Sequence, residues 1–222
     1  MSRVFILSPA SCAGQRARFL FNERAEFEAA RRLQAPDGLP LGEAFAFLSG
    51  LYFRGKLTYA RTFADPPEGT PGIVIITSCD GLRRPEERVD VARLRRFAAV
   101  PIDTREPRYR EPLLRDAHAL GAAVGARCEV VLLGSVASGK YVDLLGAVFG
   151  DRLRFPAEFV GRGDMSRGGL LLRSVAEGNE LEYVRVAGAA RHGPRPARLV
   201  PNPGILKRSI DGSSLTVEGE MG

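Results

Sequence analysis

The chain has 222 residues, 45% of them hydrophobic, and a formal net charge of +6 at pH 7. That length suits one domain, or one domain with an appendage, and that apolar share excludes wholesale disorder. The three cysteines are odd in number and far apart (Cys12, Cys79, Cys128), and only His118 and His192 add imidazoles, so neither a disulfide framework nor a zinc site is expected.

The first element is a buried strand at Val4, Phe5, Ile6 and Leu7, closed by Pro9. Residues 15–33 then carry Phe19, Leu20, Phe27, Ala30 and Leu33 at helical spacing, which predicts one helix. After a turn-rich break at 35–40, residues 42–53 are apolar enough to predict a largely buried helix. Residues 72–77 form the second buried strand. A basic helix is expected over 86–99, with Val89, Leu94 and Phe97 inward. Residues 101–110 read as irregular, and Pro112 suits the first position of the next helix.

The third strand covers 129–133 and leads into a helix over 139–149. A short strand at 153–155, a helix starting near Ser166 and an edge strand near 182–186 complete the pattern. Strands alternating with helices imply a three-layer α/β fold: a short, mostly parallel sheet with helices on both faces. Residues 1–187 form that domain, and 188–222 are expected to be an irregular C-terminal arm, extended or disordered.

Ligands of such sheets bind outside the carboxyl ends of the strands, and here those ends run into small, polar residues. After the first strand come Ser8, Pro9, Ala10, Ser11, Cys12, Ala13, Gly14 and Gln15, whose N–H groups suit an anion. Cys12 is either a nucleophile activated by a helix N-terminus or a half-buried thiol. The second strand ends at Thr77, Ser78, Cys79 and Asp80. The third runs into Gly134-Ser135-Val136-Ala137-Ser138-Gly139-Lys140, which matches the first seven positions of a phosphate-binding P-loop. Tyr141 stands where Ser or Thr would hold Mg²⁺, so an anion cradle without the metal, or an ordinary tight turn, is expected. The fourth leads to Arg162, Asp164, Ser166 and Arg167 among glycines, read as charge clamps beside a carboxylate or as a helix cap.

Only three of the 32 basic residues are lysines: Lys56, Lys140 and Lys207. An arginine-rich chain fits a phosphate-rich partner, and it equally fits a GC-rich coding sequence. The basic and aromatic stretch 53–61 admits base stacking or the end of a buried helix with snorkelling cations. Arg83, Arg84, Arg88, Arg93, Arg95 and Arg96 form a solvated face or a nucleic-acid surface, partly neutralised by Glu86, Glu87 and Asp90.

Val130-Val131-Leu132-Leu133-Gly134-Ser135-Val136-Ala137 resembles the third-strand segment of the uracil-DNA-glycosylase-like α/β superfamily. The resemblance implies a short parallel sheet whose carboxyl-edge loops bind a nucleobase and phosphates. Ser8-Pro9-Ala10 takes the place of that superfamily's first active-site loop, without its water-activating acid, and Phe155-Pro156-Ala157 stands where a His-Pro-Ser type motif belongs. Residues 141–169 also resemble bacterial α/β proteins found near DNA-modification and defence genes.

The resulting expectation is an enzyme acting on a nucleotide, a nucleobase or a nucleic-acid end, by glycosyl-bond cleavage or transfer. Its catalytic carboxylates are Asp164 and Asp80, and its ligand contacts Ser11, Gln15, Ser78, Ser135, Ser138, Lys140, Arg162 and Arg167. No metal or cofactor is expected. The alternative is a non-catalytic nucleic-acid-binding or accessory protein that uses the arginine face. The chain opens directly into a strand and has no apolar run near the ~18–20 residues that span a bilayer, so a reducing cytoplasm is the expected location.

Overall fold

Four buried apolar runs dictate a sheet covered on both faces, and the computed structural model, which describes residues 1–197, places them side by side. In chain order the elements are β1 (Arg3–Leu7), α1 (Gln15–Leu20), α2 (Glu28–Gln34), β2 (Leu39–Pro40), α3 (Leu41–Ser49) and α4 (Leu51–Phe63). There follow β3 (Ile73–Ile76), β4 (Leu82–Arg83), β5 (Arg88–Val89), α5 (Val91–Ala99) and α6 (Pro107–Val124). The last are β6 (Glu129–Leu133), α7 (Gly139–Phe149), β7 (Leu153–Pro156), α8 (Asp164–Glu177) and β8 (Tyr183–Arg185).

The main sheet has the order β4-β3-β1-β6-β7-β8. β3, β1, β6 and β7 are parallel, and β4 and β8 are antiparallel edges. β1 is central: Phe5 pairs with Ile73 on one side and with Val131 on the other. Val4, Phe5, Ile6 and Leu7 are all buried, as a strand covered on both faces requires. α4 packs on β1 and α8 on α4, while α6 packs on α7 and α7 on β7. By the right-handed rule for parallel crossovers these pairs cover opposite faces of the sheet, giving three layers. β2 and β5 form a separate antiparallel pair.

The helices depart from the sequence expectation at their ends and breaks. The helix expected over 15–33 is two helices. Between them the Asn22 side chain accepts from the Arg24 N–H at 3.0 Å, a turn that competes with the helix. The helix expected over 42–53 breaks at Gly50, whose φ of 64° is left-handed, and restarts as α4, so 53–61 is helix interior. α5 begins only after β5, with Asp90 accepting from the Arg93 N–H at 2.7 Å as N-cap. α6 starts at Pro107 rather than Pro112, because Glu106 caps it and Pro107 takes the first turn; Pro112 lies inside the helix.

The arm expected over 188–222 falls partly outside the described residues. Its described part, 188–197, has no helix or strand and runs beside the 160–162 loop, where Arg162 donates to the Ala197 carbonyl at 3.4 Å. Among the described residues no helix is long and apolar enough to cross a membrane.

Candidate functional site

The chain leaves β1 towards β3 and leaves β6 towards β7. The carboxyl ends of β1 and β6 therefore form the switch point at which open α/β sheets bind ligands. A cavity of about 550 Å³ lies there, within the range of small-molecule sites. The loop after β1 lines one wall from Ser8 to Ala13. The end of α3 and the start of α4 add Phe45, Leu48, Ser49 and Tyr52, and the end of α5 adds Phe97. Ser135, Lys140 and Tyr141 come from the β6–α7 junction, and Asp164 from the first turn of α8.

Of the residues singled out in the sequence, Ser11, Ser78, Ser135, Lys140 and Asp164 share this cavity. Ser11 is exposed, whereas Ser78 is buried and donates to the Phe97 carbonyl at 2.7 Å, tying α5 to the end of β3. Lys140 sits with its ammonium 5.0 Å from the Tyr141 ring centroid. Asp164 is 68% exposed, with one oxygen 3.6 Å from Arg167.

The other five do not line the cavity. Asp80 accepts from Arg93 Nε at 2.7 Å and lies 3.7 Å from Arg96, so its carboxylate holds α5 to the β3 end. Gln15 opens α1 as an exposed residue, and Ser138 takes the N-cap position of α7 without a side-chain cap bond. Arg162 donates to Ser166 Oγ at 3.2 Å. Arg167 is buried, donates through Nε and Nη2 to the Phe159 carbonyl at 3.2 and 3.0 Å, and stacks on the Phe159 ring, which anchors α8.

The glycines of the P-loop-like segment have packing reasons. A Cβ on Gly134 would lie 2.8 Å from Ser8 Cβ, and one on Gly139 would lie 2.0 Å from an Asp143 carboxylate oxygen. The first lets β1 and β6 end close together. The second puts a negative charge beside the first turn of α7. Cys12 lines the cavity, but burial, reinforced by Cys79, pushes its thiol up to about 12, the opposite of nucleophile activation. Among the described residues no group of three or more His, Cys, Asp or Glu is placed to hold a metal ion.

Two residues not assigned to the site from sequence, Lys56 and Tyr52, are central to it. Lys56 is 1% exposed in the middle of α4, and its Nζ donates to the Ser8 carbonyl at 2.5 Å and to Ser8 Oγ at 2.8 Å. Its Nζ also lies 4.6 Å from the Tyr52 ring centroid and 4.7 Å from that of Phe53. Burial lowers its pKa to about 7; Asp164 pulls it up and Arg167 pushes it further down. Tyr52 lines the cavity at 6% exposure, and its hydroxyl has no hydrogen-bond partner among the described residues. The signal for Lys56 was present: 52, 53, 56, 57, 59 and 60 share one helical stripe, and all are buried.

Comparison of the chain with protein-family models, with curated proteins and with solved structures finds no match.

Proposed function

We propose that the protein is an enzyme acting on a nucleotide, a nucleobase or a nucleic-acid end held in the β1–β6 cavity, by cleavage or transfer at a glycosyl bond. The observation that carries this reading is the composition of the cavity. Phe45, Tyr52, Phe97 and Tyr141 supply aromatic surface for a base, Lys140 a cation for phosphate, and Asp164 a solvent-facing carboxylate. Glycosyl-bond cleavage develops positive charge on the sugar, which a carboxylate stabilises directly or by orienting water. The resemblance of residues 130–137 to the uracil-DNA-glycosylase-like superfamily supports the same class of ligand.

The accessory-protein reading relies on the arginine face. Arg93 pairs with Asp80 and Glu87, and Arg83 lies against Asp116 and Glu87, so much of that charge is already answered within the fold. The weight of the geometry falls on the cavity.

Asp164→Asn is expected to lower turnover of the preferred nucleoside or nucleotide by about 100-fold or more, with ligand affinity and melting temperature little changed. Chromatographic detection of released base, with calorimetric titration, measures both. Undiminished turnover in the folded variant would remove Asp164 from the mechanism. If the arginine face were the functional surface, replacing Arg93, Arg95 and Arg96 with alanine would instead weaken DNA binding whatever stands at 164, and wild-type affinity would fall steeply with salt.

A further inference from the structure

We infer that Ser8 and Lys56 form a nucleophile–base pair that equips this cavity for acyl transfer from an ester-type substrate. Ser8 closes the central strand and lines the cavity. Its N–H donates to the Leu133 carbonyl at 3.0 Å, and the missing side chain of Gly134 leaves room for its Cβ. The hydroxyl is therefore held on a rigid strand end, as a nucleophile must be. Lys56 Nζ stands 2.8 Å from Ser8 Oγ, and among the described residues no carboxylate oxygen lies within 4 Å of it.

A buried lysine with no ion-pair partner favours the neutral amine, which has two N–H groups and one lone pair. One N–H can satisfy the Ser8 carbonyl while the lone pair accepts the Ser8 O–H. The charged groups facing Lys56 from the adjacent α8 are Asp164 and Arg167, whose influences oppose each other. The rings of Tyr52 and Phe53 on its own helix favour the ammonium that forms during reaction.

The second observation is the Tyr52 hydroxyl, a donor in a side chain 94% buried at the cavity wall, with no acceptor among the described residues. A buried donor of this kind is costly to leave unpaired, and an acyl oxygen is an acceptor that would satisfy it. Acyl chemistry suits this set because a single negative charge develops, on the carbonyl oxygen, and Tyr52 and Lys140 are the groups to meet it.

The step balances as follows. The Ser8 Oγ proton passes to Lys56 Nζ as Oγ bonds to the acyl carbon, and the oxyanion accepts from the Tyr52 O–H. Collapse breaks the bond to the leaving alkoxide, which takes the proton from Nζ. Water then attacks the acyl-Ser8 ester, its proton passing through Nζ back to Ser8 Oγ, and a carboxylic acid is released.

The test treats the full chain with diisopropyl fluorophosphate and, separately, phenylmethanesulfonyl fluoride from pH 6 to 9, with intact-mass and peptide-level detection. With the first reagent an Oγ–P bond forms, fluoride leaves, and Nζ takes the proton. The expected result is a single adduct on Ser8, absent in Ser8→Ala, with a labelling rate half-maximal near pH 7. Lys56→Met and Lys56→Arg, once shown to be folded by circular dichroism, are expected to label about 100-fold more slowly, since arginine stays protonated. No Ser8 adduct in the wild-type protein at any pH overturns the proposal, as does an unchanged labelling rate in either folded variant. If both variants fail to fold, the wild-type adduct and its pH profile still decide. The readout uses no nucleotide, so its failure is distinguishable from failure of the glycosyl-bond reading.

Discussion

Lys56→Met abolishes the part of the protein's stability that rises between pH 6 and pH 9. In the folded protein burial holds the Lys56 pKa at about 7, against 10.5 as the ordinary value. Between those two values the unfolded chain binds a proton that the folded chain does not, so stability rises with pH across that window. Below about pH 7 the folded protein must carry a buried ammonium, and the full penalty applies. From pH 6 to 9 the released penalty is about 2–3 kcal/mol. Methionine fills a similar volume without titrating, so the variant loses this slope. It also strands the Ser8 carbonyl, which now accepts from Nζ at 2.5 Å. The absolute stability of the variant therefore mixes two effects, and the difference in pH slope isolates one. Chemical denaturation of both proteins at pH 6, 7, 8 and 9 gives the comparison. Parallel stability profiles would mean that Lys56 stays protonated throughout, and the base assigned to Ser8 would be lost with it.

The strands were legible because strands buried on both faces read as unbroken apolar runs, as in Val4–Leu7 and Ile73–Ile76. The two-residue strands β2, β4 and β5 were not, since two residues carry no periodicity and their pairing is set by distant chain. Helix ends failed for a local reason. The Asn22 turn and the left-handed Gly50 interrupt patterns whose apolar spacing continues across them.

In the site, residues at strand ends and helix starts were legible because topology alone brings those ends to one edge. Ser11, Ser78, Ser135, Lys140 and Asp164 are of that kind. Asp80 ends a strand too, but α5 brings Arg93 onto it, a pairing no spacing rule announces. Lys56 enters from mid-helix: its place in the apolar stripe of α4 is legible, but that its stem meets Ser8 follows only from the packing of α4 against β1.

Gly168→Ala destabilises the protein, although alanine is the better helix former. In an exposed helix interior that exchange gains about 1 kcal/mol. Here a Cβ on Gly168 would lie 2.9 Å from Tyr52 Cα and 3.0 Å from the Leu51 carbonyl carbon and oxygen. From the other side, a Cβ on Gly55 would lie 2.8 Å from the Gly168 carbonyl oxygen. All of these are backbone atoms, so no rotamer change relieves the contact and α4 and α8 must move apart. Overpacking of this sort costs about 1–3 kcal/mol, and at this chain length each kcal/mol lowers the melting temperature by roughly 2–4 °C. Gly146 in α7 is the control: nothing lies within 4 Å of its added Cβ, so Gly146→Ala is expected to stabilise. The two alanine variants thus carry opposite signs in one thermal melt, and a stabilised Gly168→Ala would show that α4 and α8 are not in backbone contact. The same contact fixes the site, because α4 carries Tyr52 and Lys56 while α8 begins at Asp164. Parting these helices moves Asp164 away from the cavity wall that Tyr52 forms, so Gly168→Ala should lose turnover at temperatures well below its own melting point.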